Sequence, residues 1–217
     1  MRAWLERWWR KRRVGAPPTT ERWLVLDVET TGLDVRRDQL LAIAAVALRV
    51  DWSARGLSVQ LADSLALTLR PTQVSDKANV LLHGIGVGAQ RQGLDPAAAM
   101  QAFDQWAQGA RLVAFHAGFD RSLLERYARE HLGRPLEHEW LDIAHLCTVT
   151  LPQVQARAVD DWLAHLRITC LARHEATADV MAECELLQRI WPQVARECDS
   201  WQAVQRYARR HAWLGPR

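Results

Sequence analysis

The sequence predicts an α/β domain with a mixed five-stranded sheet flanked by helices. Three observations lead there: successive apolar β-type runs near the N-terminus, then an alternation of helix-type and strand-type segments, then a remainder with helical periodicity. Size and composition agree. With 217 residues, 49% apolar and 24% charged, the chain suits a packed domain with short extensions, and global disorder is excluded. No apolar run approaches the roughly eighteen residues of a transmembrane helix.

Residues 23–29 (WLVLDVE), 40–50 (LLAIAAVALRV) and 57–70 read as consecutive strands, hence an antiparallel meander ending at Pro71. Residues 71–94, with Gly84, Gly86, Gly88 and Gly93, read as irregular. Asp95-Pro96 opens a helix, with Asp as N-cap and Pro at the first helical position. Its apolar stripe is Met100, Phe103 and Ala107. Residues 111–116 (RLVAFH) form a short buried strand, and a helix over 118–131 turns Phe119, Leu123, Leu124 and Tyr127 inward until Gly133 and Pro135 stop it. Residues 139–143 supply the fifth strand. Helices are expected at 144–149, about 158–166, 175–190 and near 199–212.

The net charge of +3 is uneven. Residues 1–13 carry a local +5 and residues 206–217 a local +4, leaving −6 for the body between. Basic ends beside an acidic body fit either a nucleic-acid footprint or solvated termini. Residues 1–22 read as a basic extension in which Trp4, Leu5, Trp8 and Trp9 recur at helical spacing before Gly15, Pro17 and Pro18. Such a face folds back on the domain or contacts a protein or membrane surface through residues 1–13. The charge and tryptophan there do not read as a secretory signal, and Cys147, Cys170, Cys184 and Cys198 lack CxxC spacing. Free thiols in a reducing cytoplasm are the expectation.

The chemistry concentrates in a few acids. In Asp27-Val28-Glu29-Thr30-Thr31-Gly32, residues two apart share a strand face, so Asp27 and Glu29 project together. Two carboxylates ending an apolar strand are costly without a cation or hydrogen bonds. Asp120 falls in the first turn of the helix after the fourth strand, where the helix dipole favours an acid. In His174-Glu175-Ala176-Thr177-Ala178-Asp179, residues five apart on a helix diverge by about 140°. His174 is therefore expected just before the first turn, with Asp179 inside the helix. Carboxylates converging on one point repel, and hard divalent cations with oxygen ligands, Mg²⁺ or Mn²⁺, remove that penalty better than Zn²⁺. Two such ions can clamp a phosphodiester, and a histidine outside the ligand set has the pKa to take a proton from water.

Asp-x-Glu, then Asp, then His-x4-Asp resembles the DEDDh branch of 3′–5′ exonucleases. LDVETTGLD at 26–34, AFHAGFDRSLL at 114–124 and HEATAD at 174–179 resemble its three motifs, and Leu82-His83-Gly84-Ile85 its intervening HGI segment. The nearest likeness within the branch is to the proofreading epsilon subunits of bacterial DNA polymerase III. It covers roughly residues 23–192, with 193–217 expected as a helical extension packed on the domain. The resemblance implies a ribonuclease H-like fold and two Mg²⁺ or Mn²⁺. Asp27, Glu29 and Asp179 would hold the first ion, Asp27 would bridge to the second, Asp120 would complete the site, and His174 would be the general base. Val28 and Thr30 would touch the terminal nucleotide, and His83 and Phe119 would line its pocket. One position departs: His116 stands where the family usually has asparagine.

The implied activity is 3′–5′ hydrolysis of single-stranded 3′ ends, DNA before RNA, releasing nucleoside 5′-monophosphates. RNA trimming on the same fold is the alternative, and an accessory nucleic-acid-binding module is another. No clamp-binding peptide or long polymerase-binding tail is read after the third motif, so proofreading for a polymerase is left open.

Overall fold

The computed structural model describes residues 19–213; the helix expected over the first ten residues lies outside them. Five strands form one sheet in the order β3-β2-β1-β4-β5. The strands are β1 (Thr20–Thr30), β2 (Leu40–Asp51), β3 (Gly56–Thr68), β4 (Arg111–Ala114) and β5 (Trp140–Asp142). The meander is as expected: β1 pairs antiparallel with β2, and β2 with β3. On the other flank β4 runs parallel to β1, and β5 parallel to β4. The sheet is therefore mixed, with β1 at its centre.

Alternation along β1 sorts its residues between two apolar layers. Trp23 and Val25 belong to one, with helices α5 (Ile143–Thr150), α6 (Val159–Leu166), α7 (Ala176–Glu197) and α8 (Trp201–Arg209). Leu24, Leu26 and Val28 belong to the other, with α3 (Pro96–Ala107) and α4 (Gly118–Leu132). The expected inward stripe of α3 is real: Met100, Phe103 and Ala107 are fully buried. Asp95 caps it, accepting from the Ala97 amide. Leu123, Leu124 and Tyr127 of α4 are buried, and Gly133 ends that helix at φ 69°.

Two expectations change. The stretch 71–94 contains short helices α1 (Lys77–His83) and α2 (Val87–Gln92). Asp76 caps α1 by accepting from Asn79, and Gly84 closes it at φ 72°, where a side chain would be strained. The helix expected to stop at residue 190 continues to Glu197 through Pro192. Burial of Ile190, Trp191, Val194 and Ala195 against the sheet outweighs the hydrogen bond that Pro192 cannot make. Trp201, Val204 and Ala208 of α8 are buried in the same layer. The four cysteines are free thiols. Among the described residues no helix is long and apolar enough to cross a membrane.

Candidate active site

Pairing between β1 and β4 ends at Val25 and Val113. Beyond that point β1 has a strand neighbour on one side only, because the β4 chain turns away at His116 (φ 55°) into α4. Asp27 and Glu29 continue the row of Trp23 and Val25, on the face crossed by α7. The first turns of α7 deliver Asp179, which is buried. Carboxyl oxygens of Asp27, Glu29 and Asp179 lie within 4.8 Å of one another. Residues far apart in sequence thus share one all-oxygen cluster.

Asp120 approaches from α4. It is buried, with hydrogen bonds from its own amide and that of Val28. Burial still pushes its pKa up to about 7, despite the opposing backbone bonds and with repulsion from Asp142 adding to the rise. Glu29 is pushed up to about 8, first by burial and then by Asp179 and Glu175, with Arg173 opposing. Asp27 is raised well above the usual carboxylate range by burial, then by Asp120, Glu183, Glu29 and Asp179. A desolvated acid whose near neighbours are acids resists ionising, and a bound cation removes that resistance. The donor set thus fits hard divalent ions.

His174 lies immediately before α7, as expected, and is exposed. Its backbone sits at φ 62°, an uncommon conformation for a non-glycine residue, and its N–H donates to Asp179 Oδ2 at 2.8 Å. That bond ties the backbone of the exposed His174 to the buried Asp179. Arg173 beside it ion-pairs with Asp179 and, at 2.5 Å, with Asp160.

Val28 is buried in the layer opposite the carboxylates. Thr30 is buried and its hydroxyl donates to the Gly32 carbonyl at 2.5 Å. A Cβ at Gly32 would lie 2.6 Å from the Asp38 carboxylate, which also takes the Thr31 hydroxyl at 3.1 Å. Phe119 is half-buried against the α3–α4 layer. His83 is buried; its Nδ1 accepts from the Ile85 amide at 2.9 Å, so Nε2 carries the proton and donates to Asn79 at 2.7 Å. Burial holds its pKa below the usual histidine value. His116 is exposed, its amide bonded to Asp142 and its Nε2 paired with the Arg157 carbonyl at 3.1 Å. It thereby ties the β4–α4 turn to a neighbouring loop.

Sequence reading missed Glu183. It lies one helical turn beyond Asp179 on α7, is only 5% exposed, and its Oε2 has no hydrogen-bond partner among the described residues. Burial first, then Asp120 and Asp179, raise its pKa well above the usual range. The helical spacing from Asp179 was the available signal.

An acidic, oxygen-only cluster where β1 outruns β4 on an α/β sheet could hold a metal ion, and comparison with known proteins narrows the class. The exonuclease family model RNase_T matches residues 24–187. The chain belongs to this exonuclease family. A DNA polymerase III subunit epsilon-like protein of Rhodobacter capsulatus is 31% identical over 197 residues, covering 88% of this chain and 27% of that protein. A PolC-type DNA polymerase III of Caldanaerobacter subterraneus is 25% identical, covering 76% of this chain and 11% of its own length. The chain thus spans about a quarter or less of these relatives. A solved exonuclease I structure shares the fold with TM-score 0.65 and 17% identity, over 80% of this chain and 43% of its own. Escherichia coli exonuclease I in complex with a dT13 oligonucleotide gives TM-score 0.63 and 16% identity, over 77% and 40%. These likenesses agree with the expected ribonuclease H-like fold.

Proposed function

We propose that this domain is a metal-dependent 3′–5′ exonuclease that hydrolyses the terminal phosphodiester of single-stranded 3′ ends, preferentially of DNA. The observation that carries the reading is the gathering of Asp27, Glu29 and Asp179 oxygens within 4.8 Å. The DNA polymerase names of the relatives and the oligonucleotide bound to exonuclease I support the choice of DNA.

Asp27, Glu29 and Asp179 would hold one Mg²⁺ or Mn²⁺, with Asp27 and Asp120 serving a second. The ions, when bound, supply positive charge that favours deprotonation of water and stabilises the leaving oxygen. His174 takes the proton of the attacking water at its imidazole. The new P–O bond forms as the bond to the 3′ oxygen breaks, that oxygen recovers a proton, and a nucleoside 5′-monophosphate departs. The left-handed backbone at His174, fixed by Asp179 Oδ2, holds this exposed residue beside the cluster. The backbone at Val28 and the Thr30 turn meet the terminal nucleotide. Phe119 offers a partly exposed ring on which bases stack without sequence preference. His83, with both nitrogens engaged, shapes the pocket by packing.

The test uses matched deoxy- and ribo-oligonucleotides labelled at the 5′ end, with Mg²⁺ or Mn²⁺. Wild-type protein is expected to shorten the deoxy strand from its 3′ end. His174→Ala should slow this by about 10²–10⁴-fold while Mn²⁺ still binds. Intact strands of both kinds with both ions would sink the reading, and faster loss of the ribo strand would move the substrate to RNA.

A further inference from the structure

We infer that Glu183 is a fifth carboxylate of the metal centre, holding the second cation together with Asp27 and Asp120. The inference rests on the proposed exonuclease reading and deepens it. On α7, Asp179 and Glu183 lie one turn apart and face the same side. Asp179 enters the cluster with Asp27 and Glu29, whereas Glu183 reaches the neighbourhood of Asp27 and Asp120. Its Oε2 is buried and unpartnered, although the Phe115 backbone amide bonds to the same carboxyl group. Buried carboxyl oxygens without a donor are costly, and the opposing charge of Arg173, which is paired with Asp179 and Asp160, does not offset burial and the acids around Glu183. A divalent ion between Asp27, Asp120 and Glu183 satisfies the orphan oxygen and offsets the repulsion among the three.

The experiment measures Mn²⁺ binding and thermal unfolding of the full 217-residue chain. Glu183→Gln preserves shape and leaves no charge to bury, so without metal its melting temperature should equal or exceed that of wild type. Wild type should bind two Mn²⁺. Glu183→Gln should lose about tenfold or more affinity for one ion and keep the other. Its melting temperature should also rise less on adding Mn²⁺. Glu183→Asp keeps the charge but withdraws it by one methylene and should fall between. Two ions bound by Glu183→Gln as tightly as by wild type, with an equal Mn²⁺-induced rise, would overturn the inference and leave the exonuclease reading standing. Wild-type protein that takes up no Mn²⁺ would overturn both.

Discussion

At its N-terminal end β1 places Trp23 against the indoles of Trp52, Trp191 and Trp201, edge to face, with ring centroids 4.8–5.9 Å apart. Trp23 is fully buried, and its Nε1 donates to Glu21 at 3.0 Å. Arg22 nearby is paired with Asp63 at 2.7 Å, and Arg111 with Glu139. Four residues further along the same strand face, Asp27 meets Glu29, Asp120, Asp179 and Glu183, a set opposed by Arg173. One end of the strand joins groups that complement each other; the other gathers groups that oppose each other. Such opposition persists only if the packed end holds the strand in place, so the tryptophan cluster supplies stability that the acidic end consumes.

Breaking the acidic end should give the largest change in rate. Asp27→Asn removes a ligand common to both proposed ions and should lower the single-turnover rate by about 10³-fold or more. In a metal-free melt the same variant should be as stable as wild type or more so, because a desolvated acid has been replaced by a neutral group. A clear drop in melting temperature would contradict the contrast. Breaking the packed end should do the reverse. Trp23→Ala should destabilise by about 3–5 kcal/mol in urea unfolding. Its folded fraction should retain wild-type turnover.

The two ends also differ in how legible they were. The expected strands at 23–29, 40–50 and 57–70 match β1–β3 to within a few residues, because alternation and β-branched runs report burial directly. Asp27, Glu29, Asp120 and Asp179 were visible because acids stand out at the end of an apolar strand and in a helix first turn. Glu183 was not, since a charged residue in an amphipathic helix is read as facing solvent even when, as here, the acid one turn before it is already assigned to the site. Helices α1 and α2 were hidden by their length and by the glycines that bound them. The run of α7 through Pro192 was hidden because local propensity cannot foresee the burial that carries it.

A smaller effect separates the ends by pH. Glu29 is raised to about 8 and Asp120 to about 7, so between the ordinary carboxylate range and those values the folded chain holds protons that the unfolded chain has released. Metal-free stability should therefore be greatest at the acid side of this window and decline as pH rises through it. Saturating Mn²⁺ should flatten the slope by replacing those protons. Urea titrations in EDTA across the window check the sign; stability that rises with pH would mean the acids are already compensated.

The smallest expected effect lies outside both regions. Asp95 accepts from the Ala97 amide at 3.0 Å and caps α3, on the sheet face opposite the carboxylate cluster. Asp95→Ala should cost about 1 kcal/mol, the usual worth of an N-cap. Pro96 keeps the first helical φ fixed and limits fraying, which favours the lower part of the N-cap range. Because α3 reaches the site only indirectly, through α4 and the sheet, and the cap lies at its far first turn, Mn²⁺ affinity and turnover should stay at wild-type values. A cap variant that weakened metal binding would show that the acidic end depends on the α3–α4 layer that carries Asp120 as well as on β1 and its tryptophan anchor.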